Sequence, residues 1–344
     1  MKRKGWGTVV YRKSKNALVL LPCEVAPTLW RPDFGIWEST RSKHRIVRPA
    51  SGWVSPPHPD RGGSFTSRSP FIRYDGPAMA NVEDFNGKWA LVTGASSGIG
   101  AALARELALH GAKLILTARR QERLEALAAE VAAKGTEARI VLADLNDPAA
   151  PQRLYDATEG AGLAVDILVN NAGLGQFGAF YAAPIEQELS QVRVNCEATV
   201  RLTRLFVPRM VERRKGWVLV LGSTASFQPV PYITTYAASK AFDRFFALGL
   251  AAEVAGFGVK VTALCPGPTE SEFFDVAHAG ALKGRGQQPA AEVARLAVAA
   301  LARGQRTIIP YFGGRFTAFL VRFLPVGLIT HFVEKAARPH AHTA

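Results

Sequence analysis

The strongest constraint on this chain is an alternation of short apolar runs with longer helical patterns, starting near residue 86. Most of the short runs are β-branched or Leu-rich without polar alternation, as in strands buried on both faces. The alternation predicts an α/β fold with one doubly wound parallel sheet of about seven strands and helices on both faces. The predicted strands are residues 89–93, 114–118, 138–142, 167–170, 217–221, 259–265 and 307–310. The predicted helices are residues 99–110, 121–133, 188–213, 235–255 and 290–303.

A glycine-rich turn directly follows the first predicted strand. Glycine permits a sharp turn there and lets the backbone approach a pyrophosphate without a Cβ in the way. The helix that starts in this turn directs free N–H groups at an anion. Between a buried strand and a long apolar helix, such a turn predicts a Rossmann-type dinucleotide site. The predicted contacts are Gly94, Ser96, Ser97, Gly98, Ile99 and Gly100.

The end of the second strand distinguishes NADP from NAD. NAD sites usually place an acidic residue here to hold the ribose 2′-hydroxyl, whereas this chain has Ala118 followed by Arg119 and Arg120. A guanidinium binds a 2′-phosphate through paired hydrogen bonds, and an acid would repel that phosphate. The alternative is that both arginines are solvated residues at a helix start. The sequence therefore predicts NADP(H) as the cofactor.

The charge distribution argues against a nucleic-acid partner. The chain has 344 residues and a formal net charge of +14, but residues 1–78 alone hold 14 basic and 5 acidic side chains. The remainder is only mildly basic and lacks a nucleic-acid footprint. The three cysteines have neither CxxC nor metal-ligand spacing, which indicates reduced thiols in a cytoplasmic protein and predicts no metal site.

Residues 1–78 form a basic leader that contains nine of the 21 prolines and shows no helical or strand periodicity. Three interpretations stay open: a transit or secretory signal, a basic interaction tail, or an extension produced by a mis-assigned start. We favour the third, because Met79 opens a segment typical of a domain start. The expected domains are a disordered leader over 1–78, a Rossmann-type catalytic domain over 79–312 and an amphipathic extension over 313–344.

Over residues 86–310 the chain resembles the short-chain dehydrogenase/reductase family. The resemblance rests on the phosphate turn, an Asn-Asn-Ala-Gly segment after the fourth strand, a Tyr-x-x-x-Lys pair and a Pro-Gly after the sixth strand. It implies the catalytic residues Asn195, Ser223, Tyr236 and Lys240. It also implies cofactor contacts from Asp144, Leu145, Asn171, Ala172, Gly173, Tyr236, Lys240, Pro266, Gly267, Thr269 and Ser271. Many members carry Thr a few residues after the Pro-Gly, and here Ser271 keeps a hydroxyl for the carboxamide.

Elementary chemistry is consistent with these implied roles. Tyr236 and Lys240 are four apart on a predicted helix, so both side chains leave the same face. A free tyrosine is a poor proton donor or acceptor at neutral pH, and a nearby ammonium lowers its pKa toward the working range. Ser223 ends a strand, where it can hydrogen-bond the substrate oxygen. The Asn195 amide is expected to hold a water that links Lys240 to solvent.

The remaining segments predict partners. Aromatic residues in the loops after the strands indicate a hydrophobic substrate if they face a cleft. If they face inward, they belong to the hydrophobic core. The resemblance implies a homodimer or homotetramer built on helices 188–213 and 235–255. Residues 316–333 are apolar but interrupted by Arg322 and Pro325, so they make a poor membrane span. Three roles stay open for this segment: it caps the pocket, it contacts a membrane interface peripherally, or it packs on a partner subunit.

These observations predict an NADP(H)-dependent oxidoreductase that transfers hydride between nicotinamide and a carbonyl or secondary alcohol of a hydrophobic small molecule. Tyr236 is its expected general acid and base. Two alternatives stay open, an NADP-binding epimerase or dehydratase on the same scaffold and a membrane-associated regulatory protein that uses NADP(H) only as a ligand.

Overall fold

The computed structural model describes residues 85–273, 277 and 287–338, together with two antiparallel two-residue strands, Lys13–Ser14 and Ala17–Leu18. The chain divides into two compact units, Met1–Phe71 and Ile72–Ala344. Apart from the two short strands, the leader over 1–78 and the start at Met79 lie outside the described residues. The expectations about the leader, and the predicted domain boundaries, therefore stay predictions.

Seven parallel strands form the sheet of the second unit. They are β1 (Trp89–Thr93), β2 (Lys113–Thr117), β3 (Ala138–Ile140), β4 (Val165–Asn170), β5 (Gly216–Leu221), β6 (Val259–Leu264) and β7 (Thr307–Ile308). The predicted α/β class and single doubly wound parallel sheet are confirmed. Four strands end one or two residues earlier than predicted, within the usual uncertainty of element ends.

β1 lies inside the sheet, where it pairs in parallel with β2 on one side and β4 on the other. The order across the sheet is β3-β2-β1-β4-β5-β6-β7. The chain thus reverses its direction of travel across the sheet between β3 and β4. At such a switch point the loops after adjacent strands part, and a crevice opens beyond the carboxyl ends of the strands. The topology therefore places the ligand site beyond Thr93 and Asn170.

Helices cover both faces of the sheet. They are α1 (Gly98–Leu109), α2 (Gln121–Ala132), α3 (Ala150–Asp156), α4 (Ile185–Gln191), α5 (Ala198–Glu212), α6 (Thr234–Val254), α7 (Ala290–Arg303), α8 (Phe312–Leu320) and α9 (Val326–Ala337). On one face α1, α2 and α7 bury Leu103, Leu124 and Val298. On the other face α3, α5 and α6 bury Leu154, Phe206 and Ala247. Each sheet face thus has its own apolar core, as a two-sided layer architecture requires.

A π-helical turn over Val192–Glu197 joins α4 to α5. The sequence predicted a helical stretch over residues 188–213; the helical region begins earlier, at Ile185, ends at Glu212 and changes its winding before α5. A π turn closes its hydrogen bonds one residue further along the chain than an α-helix does, and such turns occur frequently at functional sites. The tertiary contacts that hold this one are made by Asn195, described below.

The C-terminal segment forms α8 and α9, which are separated at Pro325, the N-cap of α9. Ala318 of α8 is buried in the core on the α6 side of the sheet. Glu334 of α9 accepts a 2.8 Å hydrogen bond from the hydroxyl of Tyr232 in the loop before α6. Across the described part of the chain, none of the helices combines the length and apolar character that a bilayer span requires.

Candidate active site

The turn after β1 has the geometry of a phosphate-binding loop. Gly94 and Gly98 have φ angles of +65° and +54°, a region that L side chains rarely adopt. A Cβ on Gly94 would lie 2.9 Å from Asn171 Nδ2, and a Cβ on Gly100 would overlap the Gly94 carbonyl oxygen. Since α1 begins at Gly98, its free N–H groups lie at this turn. The bare backbone is therefore open to an anion at the helix N-terminus.

Thr93, which sequence reasoning did not single out, joins this turn to the segment after β4. Its hydroxyl donates to the carbonyl of Val169 at 3.0 Å and accepts from the backbone N–H groups of Asn171 at 2.9 Å and Ala172 at 3.0 Å. The Asn171 side chain returns a 2.8 Å hydrogen bond to the Thr93 carbonyl. The two loops at the switch point are thus one connected wall. The sequence signal that could have identified Thr93 is a hydroxyl side chain at the end of a buried strand.

A cavity of about 540 Å³ opens beyond the carboxyl ends of the strands. All the residues predicted to contact the cofactor line it, although they come from six separate stretches of sequence. The lining includes Gly94, Ser96, Ser97, Gly98, Ile99, Gly100, Arg119, Arg120, Asp144, Leu145, Asn171, Ala172, Gly173, Ser223, Tyr236, Lys240, Pro266, Gly267, Thr269 and Ser271. Asn195 is the one predicted site residue outside this lining.

Arg120 lies across the mouth of the phosphate turn. Its Nη2 atom donates to the hydroxyls of Ser96 at 3.0 Å and Ser97 at 2.7 Å, and its Nη1 atom donates to Glu272 at 2.8 Å. Arg123 also pairs with Glu272, and these two guanidinium groups hold the pKa of the Glu272 carboxyl low, at about 2. Arg119 also lines the cavity but is exposed, with no hydrogen-bond partner among the described residues. Sequence reasoning missed Glu272.

Ser223 and Tyr236 meet at the cavity wall. Ser223 follows β5 and caps the short helical turn 224–227, where its hydroxyl accepts from the N–H of Ala225 at 3.1 Å. The same hydroxyl acts on the phenol of Tyr236, which projects from the first turns of α6, and lowers its pKa. One polar donor and one titratable group are thereby directed at the same point of the cavity.

Burial raises the pKa of Tyr236 above its ordinary value, and the ammonium of Lys240 and the hydroxyl of Ser223 oppose that rise. The carboxylate of Asp243 adds to it. The expected downward effect of Lys240 on this pKa is present, but desolvation of the phenolate outweighs the attraction of the ammonium in the protein alone. Tyr236 is therefore a phenol at neutral pH, the form that donates a proton.

Lys240 lies one turn beyond Tyr236 on α6 and is almost fully buried. Its Nζ atom donates to the carbonyl of Leu221 at 2.7 Å and to the carboxylate of Asp243 at 3.0 Å. A buried ammonium is tolerated only with such partners. The end of β5 and the carboxylate together fix the Nζ atom beside Gly173.

Asn195 lies in the π turn and is fully buried. Its side-chain oxygen accepts from the N–H of Leu174 at 2.8 Å, and its Nδ2 atom donates to the Leu174 carbonyl at 2.9 Å and the Ser239 hydroxyl at 2.8 Å. Both amide protons are therefore used. The side chain thereby ties the loop after β4 to α6. The expected water between this amide and Lys240 stays a prediction.

The aromatic residues of the loops are divided between cavity and surface. Phe273 lines the cavity, with its ring centroid 5.0 Å from that of Tyr236. Phe227 packs against the core and lies beneath Arg244, whereas Phe180 is largely exposed. Phe274 lies outside the described residues. Further apolar lining comes from Val194, Leu174 and Ile233, which sequence reasoning did not name.

This arrangement fits a nicotinamide dinucleotide. The glycine cradle, which side chains would fill, leaves room for a pyrophosphate at the α1 N-terminus. The cavity continues from there past Asp144 and Asn171 to the phenol of Tyr236. An anion-binding end and an acid–base end in one cavity are what a hydride-transfer site requires.

Comparison with known proteins agrees with this chemistry. The description of the short chain dehydrogenase family matches residues 88–281. A very-long-chain 3-oxoacyl-CoA reductase of Anas platyrhynchos is 36% identical over 187 residues, which cover 52% of this chain and 59% of that protein. The chain thus spans little more than half the length of this curated relative.

Two solved structures share the fold. A short-chain dehydrogenase from Sphingobium yanoikuyae in complex with NADPH superposes with a TM-score of 0.64 and is 30% identical, covering 75% of this chain and 98% of that one. A short chain dehydrogenase/reductase from Burkholderia phymatum in complex with NAD has a TM-score of 0.65 and 26% identity, covering 69% of this chain and 93% of that one. Both hold a nicotinamide dinucleotide. With its cavity, its fold and the matched family description, the chain belongs to the short chain dehydrogenase family of nicotinamide-dependent oxidoreductases.

Proposed function

We propose that this protein is an NADPH-dependent reductase of a hydrophobic ketone or aldehyde, which also oxidises the corresponding alcohol. The observation that carries the proposal is that Ser223, Tyr236 and Lys240 line the same cavity as the glycine cradle at the α1 N-terminus. A proton donor and an anion-binding loop at the two ends of one cavity are suited to paired hydride and proton transfer.

The proposed preference for NADPH rests on Arg120. The residue after β2 that would hold a ribose 2′-hydroxyl in an NAD enzyme is not acidic here. Arg120 instead presents its guanidinium at Ser96 and Ser97, beside the phosphate turn. A 2′-phosphate would accept charge-assisted hydrogen bonds from Arg120, with Arg119 as an exposed second cation. Glu272, which now pairs with Arg120, would have to release it.

Each residue has a defined part in the proposed reaction. The nicotinamide, when bound, supplies or accepts the hydride. Ser223 donates a hydrogen bond to the substrate oxygen, and Tyr236 gives its phenolic proton to that oxygen in reduction and takes it back in oxidation. Lys240 stabilises the phenolate that forms. Asn195 acts by holding the Leu174 loop at the cavity wall.

An apolar substrate is supported by the lining near Tyr236. Val194, Leu174, Ile233 and Phe273 all lie on that side of the cavity. The relative from Anas platyrhynchos is named for a very-long-chain 3-oxoacyl-CoA substrate. We propose a 3-oxoacyl thioester or another ketone on a long apolar chain as the first substrate class to test.

The test follows NADPH oxidation by the full chain with ketones and 3-oxoacyl thioesters of increasing chain length, with NADH in parallel. Tyr236→Phe is the inactive variant, and Tyr181→Phe is its matched control because Tyr181 is 93% exposed. The expected result is turnover that prefers NADPH, increases with chain length and disappears only in Tyr236→Phe. Binding of NADPH without turnover of any carbonyl would contradict the proposal and favour an epimerase, a dehydratase or a binding protein.

We propose that two or four copies assemble through α5 and α6. Large apolar side chains are exposed on these helices, including Phe245 at 66% and Phe242 at 40% on α6 and Val200 at 38% on α5. A second copy would cover them. Light scattering should give a dimer or tetramer mass for the full chain and a smaller mass for Phe245→Asp. A monomeric wild-type protein would contradict this assembly.

We also propose that residues 316–333 contact a membrane surface peripherally, in a protein that otherwise works in the cytoplasm with free thiols at Cys196 and Cys265. α8, α9 and the turn between them expose an aromatic patch, composed of Phe312, Phe316, Phe319, Phe323 and Phe332. Burial lowers the pKa of Arg244, and the like charge of Arg322 adds to this effect; neither residue has an acidic partner among the described residues.

Exposed phenylalanines beside unpaired arginines suit the interface of an anionic bilayer. Co-sedimentation with vesicles of phosphatidylcholine and phosphatidylserine should exceed that with phosphatidylcholine alone and fall in Phe316→Asp/Phe323→Asp. Equal sedimentation of wild type and variant would contradict this contact.

A further inference from the structure

The carboxylate of Asp243 is an unexpected neighbour of the proposed active site. It lies three residues after Lys240 on α6, and its Oδ2 atom is 3.0 Å from Lys240 Nζ. The side chains of the two residues are only 2% and 3% exposed. The Oδ1 atom of Asp243 is buried and has no hydrogen-bond partner in the described part of the chain. The carboxylate is therefore committed to the ammonium alone.

The groups around this pair come from three elements. Tyr236 and Lys240 face Asp243 from α6, Cys196 faces the pair from the π turn, and Cys265 faces Tyr236 from the end of β6. Burial raises the pKa of Cys196 to about 11 and that of Cys265 to about 12, so both thiols are neutral at physiological pH. The charges that act on the Tyr236 phenol from within this cluster are the Lys240 ammonium and the Asp243 carboxylate.

We propose that Asp243 is a positioning residue that anchors the Lys240 ammonium against β5 and cancels part of its field at Tyr236, which favours the proton-donating form of Tyr236. This inference rests on the proposed function and deepens it, because it assigns the site to carbonyl reduction rather than alcohol oxidation at neutral pH. Asp243 itself does not line the cavity and reaches it only through Lys240.

The physical argument is electrostatic. An unpaired ammonium buried beside a phenol attracts the phenolate strongly, since little solvent screens the interaction. A carboxylate 3.0 Å from that ammonium makes the pair nearly neutral at longer range. The Asp243 carboxylate accordingly raises the pKa of Tyr236. Burial in turn raises the pKa of the Asp243 carboxyl to about 6. The carboxylate is thus charged at neutral pH, when the pair is complete.

The first test needs no substrate or nucleotide. Phenolate absorbance of the full chain is titrated with pH, and the titration of Tyr236→Phe is subtracted to isolate Tyr236. We expect Tyr236 of the wild type to ionise above the ordinary tyrosine range of about 10. Ionisation below that range would overturn the inference, since the ammonium would then be acting uncancelled. This arm can overturn the inference even if no Asp243 variant folds; a midpoint above that range also follows from burial of the phenol, so the Asp243 variants supply the support.

The second test repeats the titration in the D243N and D243E backgrounds, with melting temperatures as a check on folding. Asparagine keeps an oxygen acceptor but removes the charge, so the Tyr236 midpoint should move to lower pH. Glutamate keeps the charge and should restore the wild-type midpoint. An unchanged midpoint in D243N, or the same displacement in D243E as in D243N, would overturn the inference.

Activity supplies an independent arm. In D243N the pH profile of alcohol oxidation should move to lower pH. The ratio of kcat for oxidation to kcat for reduction, measured at neutral pH with saturating substrates, should rise. If the wild type turns over no carbonyl or alcohol, the proposed function fails while the titrations still decide the inference. If the wild type is active and the D243N profile is unmoved, the inference fails and the proposed function stands.

Discussion

Arg120, the N-cap of α2 three residues after β2, donates a 2.7 Å hydrogen bond to the hydroxyl of Ser97 in the turn after β1. The two residues are 23 apart in sequence, and their contact brings a cation to the rim of the phosphate cradle. The same guanidinium pairs with Glu272, from the segment after β6. Arg120 thus connects the loops after β1, β2 and β6. When a dinucleotide enters the cavity, each of these loops either moves or keeps its position.

Replacement of Arg120 by alanine should weaken NADPH binding by about 10- to 100-fold, the effect of losing charge-assisted hydrogen bonds worth about 1.5–3 kcal/mol. NADH binding should change little, since NADH has no 2′-phosphate. Titration calorimetry with both nucleotides measures the difference. Arg119→Ala is the comparison variant and should lose less, because Arg119 is exposed without a fixed partner. Equal losses for NADPH and NADH in Arg120→Ala would rule out the 2′-phosphate role.

Tyr236→Phe should lower kcat by about 10²–10⁴-fold, the usual contribution of a general acid or base. Affinity for NADPH should persist, because the ring still packs against Phe273. Steady-state rates and nucleotide titration separate the two effects. A variant that keeps more than a tenth of the wild-type rate would mean that another group supplies the proton.

Gly100→Ala should disrupt the phosphate cradle. Its Cβ would overlap the Gly94 carbonyl, so we expect a loss of stability of about 1–3 kcal/mol and loss of nucleotide binding. Gly249→Ala is the matched control, since Gly249 lies in α6 with nothing within 4 Å of the added Cβ. That control should be more stable by about 0.5–1 kcal/mol. Chemical denaturation measures both, and a Gly100→Ala protein as stable as wild type would refute the steric argument.

Glu272→Gln should destabilise the protein at neutral pH and strengthen NADPH binding at the same time. The side chain is 41% exposed, so its two ion pairs contribute only about 0.2–1 kcal/mol each. Binding should tighten because Arg120 is released for the 2′-phosphate.

The pH dependence of this effect has a definite sign. Because the folded-state pKa of Glu272 is lowered to about 2 from 4.5, its stabilisation is present above pH 4.5 and is lost as pH falls toward 2. Thermal melts of wild type and Glu272→Gln should therefore differ at pH 7 and converge near pH 2. A gap in melting temperature that is independent of pH would contradict this assignment.

Much of the fold follows from short stretches of the sequence. The buried runs at β1, β4 and β5 are continuous and apolar, so their type and position follow from composition and period alone. The cofactor loop is equally local, because Gly94, Gly98 and Gly100 lie within seven residues. The same holds for Tyr236 and Lys240, which one helical turn brings together.

The rest depends on contacts between distant residues. The π turn at Asn195 has no local signal; it is held by hydrogen bonds to Leu174 and Ser239, 21 and 44 residues away. The elevated pKa of Tyr236 depends on how deeply the phenol is buried, which spacing along a helix does not reveal.

The sequence by itself determined the α/β class, the strand positions, the long helices that flank the sheet and the residue types around the proposed reaction, because these depend on period, turn chemistry and short spacings. Only the tertiary structure decided which charges and hydrogen bonds those residues experience. Asp243 follows Lys240 by three residues, a spacing that brings two side chains together on any helix. Its effect on the site arises because the folded protein excludes water from both side chains. Desolvation strengthens every charge in the cluster, and it is a property of packing rather than of spacing.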